Sequence, residues 1–280
     1  GGEFYYHTTF LSPDLEDGKL KGIVIKRHEK EEYLSCEKLI LAIGHSARDT
    51  YEKLYSMDFA MESKSFAVGF RVIHEADHIN ESQYGRGYKE IYKDLPTAYY
   101  KLAKTVSTGK NVYSFCMCPG GYVVNSSSEE GHLTVNGMSD AARDGKYSNS
   151  AIVVTVGPKD YGDGNALSGM YYQRTLEEKA FLIGEGRIPV EFYKDFKNRD
   201  SSNDGERLAR ISKLGIQGKV KKADLTGLFP DEINRSFTEG MEDFNTCIKG
   251  FTDTDPLLCG IEARTSAPLR ILRDERFQAI

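Results

Sequence analysis

The feature that most constrains the fold is a series of short strand-like runs in the middle of the chain. Apolar and β-branched residues recur in runs of five to nine residues, and turn-forming residues separate these runs. Such spacing favours an antiparallel sheet or barrel over repeated strand–helix–strand units. The predicted strands cover residues 66–73, 98–106, 112–118, 121–125, 133–138 and 150–156.

Two longer segments of the same region have the periodicity of amphipathic helices. Residues 167–183 place Leu167, Met170 and Leu176 roughly on one face. Residues 229–250 have Pro230 and two acidic residues in their first turn, as helices often do, and their apolar residues recur at helical spacing. The middle region is therefore predicted to be β-rich with two long helices. The polar residues 199–205 are predicted to form a mobile loop.

The first 64 residues have a different pattern. Three runs, at residues 3–10, 20–28 and 33–36, predict a small antiparallel meander. The apolar run at residues 38–45 does not alternate and stops at Gly44, which predicts a strand buried on both faces of an α/β sheet. A helix with Tyr51 and Leu54 on its inner face is predicted to follow.

Two further strands are predicted near the end of the chain, at residues 257–262 and 269–272. The sequence thus predicts an α/β fold (α+β overall) in three portions. Residues 1–64 and 251–280 form parts of one domain, and residues 65–250 form a domain inserted between them.

Composition excludes several classes of function. The net charge of -5 and the pI near 5.8 argue against a nucleic-acid groove or binding to an anionic membrane surface. No apolar run approaches the roughly 20 residues of a membrane span. The five cysteines are odd in number and irregularly spaced, which favours a reducing cytoplasm over a secreted disulfide framework. The cysteine and histidine spacing does not match a metal site.

Four stretches together resemble one family. They are residues 39–49, 113–121, 149–156 and 262–271, and the string Phe-Cys-Met-Cys-Pro-Gly-Gly at residues 115–121 is the most specific of them. The chain resembles the bacterial NAD(P)/FAD-dependent oxidoreductases, a family of FAD-dependent dehydrogenases whose substrates are mostly unassigned. The resemblance implies a Rossmann-like FAD domain interrupted by a substrate domain. It also implies FAD as cofactor, with NAD(P) as a second candidate.

One departure from the family matters most. Such enzymes hold the FAD pyrophosphate with Gly-x-Gly-x-x-Gly at a strand–helix turn, and no such motif occurs in this chain. We therefore interpret the chain as a central fragment of a flavoenzyme, without the family's late flavin-binding segment. The fragment alone is expected to bind FAD weakly or not at all and to be inactive.

The thiols of Cys116 and Cys118 are the candidate catalytic groups. A thiolate can exchange electrons with a flavin through an adduct, and residues i and i+2 of a strand point the same way. The alternative is that both are small packing residues. The Pro119, Gly120 and Gly121 turn next to them is either a close approach to the flavin or substrate, or a plain hairpin turn.

Further candidates are more dispersed. Gly44 and His45 follow the predicted buried strand, where ligand sites of α/β sheets collect, and His45 is either a cofactor contact or a helix-start residue. The sequence Arg264, Thr265 and Ser266 offers a cation and two hydroxyls for a phosphate or ring carbonyl, unless Arg264 pairs with a carboxylate such as Glu262. The candidate substrate-binding residues are Arg143 and Gln173.

Two functions remain open at this point. The first is part of a cytoplasmic FAD-dependent oxidoreductase that acts on an unknown small molecule bound in the middle domain. The second is a non-catalytic module that binds a ligand or peptide through the β-rich middle domain. Neither function requires a nucleic acid or a membrane.

Overall fold

The computed structural model describes residues 2–91, 94–162, 164–200, 207, 209, 211 and 214–280. The chain divides into two compact units. The smaller unit comprises Gly1–Lys64, Gly162–Met170 and Ala267–Ile280, and the larger unit comprises Ser65–Tyr161 and Tyr171–Ser266. Residues 251–266, which the sequence analysis assigned to the FAD-binding portion, lie in the larger unit. The assignment of three domain portions stays a prediction.

The smaller unit begins with an antiparallel meander. Its strands are β1 (Thr8–Glu16), β2 (Lys19–Arg27) and β3 (Lys30–Ser35). Asp17 and Gly18 form the turn between the first two strands, and both have positive φ (51° and 71°). Turn residues of that kind match the right-handed twist of paired strands. The predicted meander is confirmed, although its first strand begins at Thr8 rather than at residue 3.

The rest of the smaller unit contains one longer helix and a two-stranded sheet. Helix α1 (Arg48–Ser56) buries Tyr51 and Leu54, as predicted. Strand β4 (Met61–Ser63) pairs antiparallel with β15 (Leu269–Ile271), which confirms the last predicted strand. Tyr51 and Leu269 belong to a small apolar cluster, against which the partly buried Ile43 packs.

The predicted buried strand at residues 38–45 is wrong. No strand forms there, and Ile40 is 92% exposed. A continuous apolar run becomes a buried strand only when neighbouring strands pair with it on both sides. The sheet of β1, β2 and β3 ends at β3 without adding this segment. The sheets in the described part of the smaller unit are antiparallel, so they do not form a parallel sheet of the Rossmann type.

A seven-stranded sheet organises the larger unit. Its order is β13 (Val220–Lys222), β11 (Ile188–Phe192), β14 (Leu257–Glu262), β5 (Phe66–Glu75), β10 (Tyr147–Val156), β7 (Asn111–Cys118) and β6 (Ala103–Thr105). Neighbouring strands are antiparallel except for β11 and β13. A second sheet has the order β12 (Ile216–Gln217), β8 (Tyr122–Asn125) and β9 (Val135–Met138).

These sheets are open, so the antiparallel sheet predicted for the middle region is confirmed and the alternative of a barrel is wrong. The strand predicted at residues 98–106 forms only as β6. At the buried Ala98, the side chain of Asn80 accepts the backbone N–H in place of a neighbouring strand (2.7 Å). A side chain can satisfy the backbone in this way without any strand pairing.

Both predicted long helices are confirmed, and the mixed α/β class is confirmed with them. They are α5 (Ser168–Gly184) and α7 (Asp231–Cys247). The shorter helices are α2 (Ala76–Tyr84), α3 (Tyr88–Ile91), α4 (Pro158–Tyr161), α6 (Tyr193–Asn198) and a 3₁₀ turn at Thr226–Leu228. The predicted loop at residues 199–205 lies outside the described residues except for Arg199 and Asp200.

The core of the larger unit lies on β5 and β10, in which nearly every residue is buried. Helix α7 packs its predicted apolar face into this core, where Phe237 meets Phe70 edge-on at 5.2 Å between ring centroids. Edge-to-face packing of this kind is the favoured geometry for aromatic pairs. Within the described residues, no helix is both long and apolar enough to cross a membrane.

Candidate functional site

A β-bulge interrupts β7 at the cysteines. Asn149 of β10 faces Cys118, whereas Ala151 faces Phe115. Two residues of β7, Cys116 and Met117, therefore lie opposite a single residue of β10. Cys116 has a φ of 45°, which is uncommon for a residue with a side chain. The bulge thus changes the direction of the side chains in the part of β7 that contains the two predicted catalytic thiols.

The bulge separates the environments of the two thiols. Cys116 is exposed and Cys118 is buried, and neither forms a disulfide. Burial raises the pKa of the Cys118 thiol, although Arg71 nearby opposes this shift. The Cys118 thiol is therefore protonated at neutral pH, and its Sγ lies 3.4 Å from the Cys116 carbonyl oxygen. The expectation that the two cysteines point the same way fails because a bulge breaks the two-residue period. Their catalytic role stays a prediction.

A fully buried arginine lies beneath the bulge. Arg71 of β5 donates from Nε to Glu262 of β14 (2.8 Å) and from Nη1 to the Cys116 carbonyl oxygen (2.7 Å). It also donates to the side-chain oxygens of Asn149 (3.2 Å) and Asn136 (2.8 Å). Because these partners come from several strands, the guanidinium ties the bulged segment to the centre of the sheet.

Glu262 supplies the opposite charge. Burial raises the pKa of its carboxyl, and the Arg71 guanidinium counteracts this by favouring the charged carboxylate. The carboxylate and the guanidinium have side-chain exposures of 4% and 0%. Since a buried charge is tolerated only with a partner of opposite charge, each of the two groups offsets the desolvation cost of burying the other.

The Pro-Gly-Gly turn that follows β7 is packed against the protein's own backbone. Gly120 has a φ of 54°, and a Cβ atom there would lie closer than 3.0 Å to the Arg143 carbonyl oxygen. At Gly121, a Cβ atom would lie equally close to the Met138 carbonyl oxygen. Both glycines are therefore required by internal backbone contacts. Their predicted contact with a cofactor stays a prediction.

A cavity of about 700 Å³ opens beside the bulge. Its lining consists of residues 99–101, 114–119, 137–141 and Arg143, all in the larger unit. Tyr99, Phe115 and Met138 give it an apolar surface. A concave, largely apolar cavity with a few polar groups is the usual form of a small-molecule site.

The structure brings four of the predicted site residues together at this cavity: Cys116, Cys118, Pro119 and Arg143. Gln173 is not among the lining residues, because it is buried and donates from its amide to the Ala263 carbonyl oxygen (2.7 Å).

Arg264 forms a buried ion pair in the larger unit. Its partner is Glu177 (2.7 Å), which is itself fully buried. The alternative that Arg264 pairs with a carboxylate is therefore confirmed, although the partner is Glu177 rather than Glu262, whose carboxylate binds Arg71. Thr265 donates from its hydroxyl to the Ala67 carbonyl oxygen (3.3 Å), and Ser266 lies next to it in the chain.

Gly44 and His45 lie in the smaller unit. The Gly44 carbonyl oxygen accepts a hydrogen bond from the Tyr51 hydroxyl (2.5 Å), and His45 Nδ1 lies 2.7 Å from the Ser46 hydroxyl. Gly44 has positive φ and nothing within 4 Å of the position of a Cβ atom. The ligand contacts predicted for both residues stay predictions.

Arg71 and its carboxylate partner, Glu262, were not predicted as functional residues. A signal was available, because Arg71 is the one charged residue inside the strand predicted at residues 66–73. A charge in a strand that is otherwise apolar indicates a buried, paired group. Nothing in the sequence near Arg71 identifies Glu262 as its partner.

Comparison with known proteins gives the family. Residues 65–265 match the model of the family described as "FAD-dependent protein, C-terminal domain-like". The chain belongs to this family. The matched range begins at the first residue of the larger unit and ends one residue before its last. Every residue that lines the cavity therefore lies within the family's domain.

One curated relative matches the whole chain. It is an uncharacterized protein of Clostridium beijerinckii, 41% identical over 284 residues, and the match covers 100% of this chain and 51% of the relative. The chain thus spans about half the length of the relative. The predicted relation to FAD-dependent proteins is confirmed at the level of the family.

The family implies FAD, but the candidate phosphate-binding groups of the larger unit are occupied by the protein itself. Gly120 and Gly121 face the protein's own carbonyl groups, and the Arg264 charge is balanced by Glu177. These groups do not offer an open cradle for the two phosphates of FAD. No cluster of three or more histidine, cysteine or acidic side chains in the described residues could hold a metal ion.

Proposed function

We propose that the chain forms the substrate-binding part of an FAD-dependent oxidoreductase that acts on a small molecule. The observation that supports this most is the cavity beside the bulged end of β7, within a domain of an FAD-dependent family. The larger unit binds the substrate there, and other segments of the intact protein hold the FAD phosphates. The redox chemistry belongs to the flavin.

The described residues have a positioning role in this proposal. A substrate must be held within tenths of an ångström of its reactive geometry, and groups on rigid elements do this best. The network of Arg71 fixes the Cys116 carbonyl and with it the backbone wall of the cavity. Cys116 lies on this wall as an exposed thiol, whereas the Cys118 thiol is buried. Of the two thiols, Cys116 is therefore the one available to a bound molecule.

The full-length protein tests the proposal through its flavin content. We expect gentle purification to yield a yellow protein with about one FAD per chain, measured by absorbance and by chromatography of the flavin released on heating. Chromatography distinguishes FAD from other flavins. A full-length protein that is colourless and takes up no added FAD contradicts the proposal and favours a non-catalytic binding module.

A further inference from the structure

We propose that the cavity beside β7 binds an aromatic anion, that is, a planar ring system with a carboxylate or phosphate group. This inference rests on the proposed function, because it names the chemical class of the substrate for that same site. Three features of the cavity support it: its apolar surface, its cations without an ionic partner and its size.

The apolar surface comes from large side chains that the larger unit leaves exposed. Tyr99 is 73% exposed, Met138 is 50% exposed and Phe115 is 37% exposed, and all three line this cavity. Exposed apolar side chains that converge on one concavity indicate a binding site. Aromatic rings such as those of Tyr99 and Phe115 bind flat ring systems by offset or edge-to-face packing.

The cations are Lys101 and Arg143, which also line the cavity and are exposed. Neither forms an ion pair with any described residue, whereas the buried Arg71 and Arg264 both do. Asp140 adds one negative charge to the lining, so these three residues have a net charge of +1. A guanidinium without an ionic partner at a cavity is suited to bidentate binding of a carboxylate or phosphate.

Arg71 cannot take this role. It is fully buried, and its donors are directed to Glu262, the Cys116 carbonyl and two asparagines. Recognition of an anion therefore falls to Arg143 and Lys101. The volume of about 700 Å³ lies within the range of roughly 300–1,000 Å³ that small-molecule pockets have. It accommodates a ring system of two fused rings with one acidic group.

Titration calorimetry on the full-length protein tests this class with three probes. Naphthoate has both the rings and the charge, naphthamide has the rings alone, and cyclohexanecarboxylate has the charge without an aromatic ring. We expect naphthoate to bind tightest. The variant Arg143→Gln should weaken naphthoate about tenfold, which corresponds to the loss of a charge-assisted hydrogen bond, and should leave naphthamide unchanged.

Arg86→Gln is the matched control, because Arg86 is exposed, has no ion pair with a described residue and lies outside the cavity lining. It should bind naphthoate like the wild type. Equal affinity for naphthoate and naphthamide overturns the anionic part of the inference. Equal affinity for cyclohexanecarboxylate overturns the aromatic part, and absence of binding by all three probes overturns both.

The flavin content separates this inference from the proposed function. Displacement of the flavin by naphthoate identifies the flavin as the occupant of the cavity and overturns its assignment as the substrate site, while the protein remains a flavoprotein. Selective binding of naphthoate to a protein without flavin contradicts the proposed function and supports the inference.

Discussion

Replacing Arg71 with methionine should lower the free energy of unfolding by about 3–5 kcal/mol. The substitution leaves the Glu262 carboxylate buried without its counter-charge and removes the guanidinium donor of the Cys116 carbonyl. An unpaired buried charge costs far more than the pair contributes, because its desolvation is no longer compensated. Denaturant unfolding followed by circular dichroism measures the change.

The variant Arg187→Met provides the matched control. Arg187 pairs with Glu185 on the surface of the larger unit, where the side chains are 39% and 63% exposed. Because surface ion pairs contribute about 0–1 kcal/mol, this variant should unfold nearly like the wild type. Arg71→Lys should recover part of the loss, since it keeps the charge without the planar fork. Equal stability of Arg71→Met and Arg187→Met contradicts a structural role for the buried network.

Replacing Gly120 with alanine should cost about 2–5 kcal/mol of unfolding free energy. Two effects add at this position. A φ of 54° disfavours any residue with a Cβ atom, and that atom would overlap the Arg143 carbonyl oxygen. Relief of the overlap requires the turn to move away from Arg143, so the shape of the cavity should change as well. Thermal and denaturant unfolding measure the loss of stability.

Gly109→Ala separates these two effects. Gly109 also has positive φ (80°), but nothing lies within 4 Å of the position of its Cβ atom. This variant should lose only the conformational term of about 1–2 kcal/mol. The difference between the two variants measures the overlap at Gly120. If both variants lose the same amount, the internal backbone contact is not the reason for the glycine.

Local periodicity predicted the elements whose partners lie close by or whose faces repeat regularly. The apolar residues of α7, including Phe237, repeat at helical spacing, so their inward face follows from the sequence. The meander of β1, β2 and β3 has short turns that determine which strands pair. In each case, residues close together in the sequence determine both the element and its buried face.

The site depends on contacts that local patterns do not specify. Arg71 and Glu262 are 191 residues apart, and only the order of β5 and β14 in the sheet brings them together. The apolar run around Ile40 does not form a strand for a related reason. A strand needs a neighbouring strand to pair with, and a local sequence pattern does not show whether one is present. The bulge at Cys116 depends on the pairing register between β7 and β10, and the sequence pattern of a single strand does not determine that register.

We propose that the cavity beside β7 binds a small molecule next to a flavin in the full-length protein. A titration of the full-length protein with naphthoate, monitored through the flavin absorbance spectrum, tests this in the wild type and in the variants Ala141→Trp and Ala142→Trp. Ala141 lines the cavity, whereas its exposed neighbour Ala142 does not.

We predict a saturable spectral shift in the wild type and in Ala142→Trp. Ala141→Trp should keep its flavin and show no shift, because the indole takes up space in the cavity that the two-ring probe needs. The same shift in both tryptophan variants, or none in the wild type, would contradict the claim.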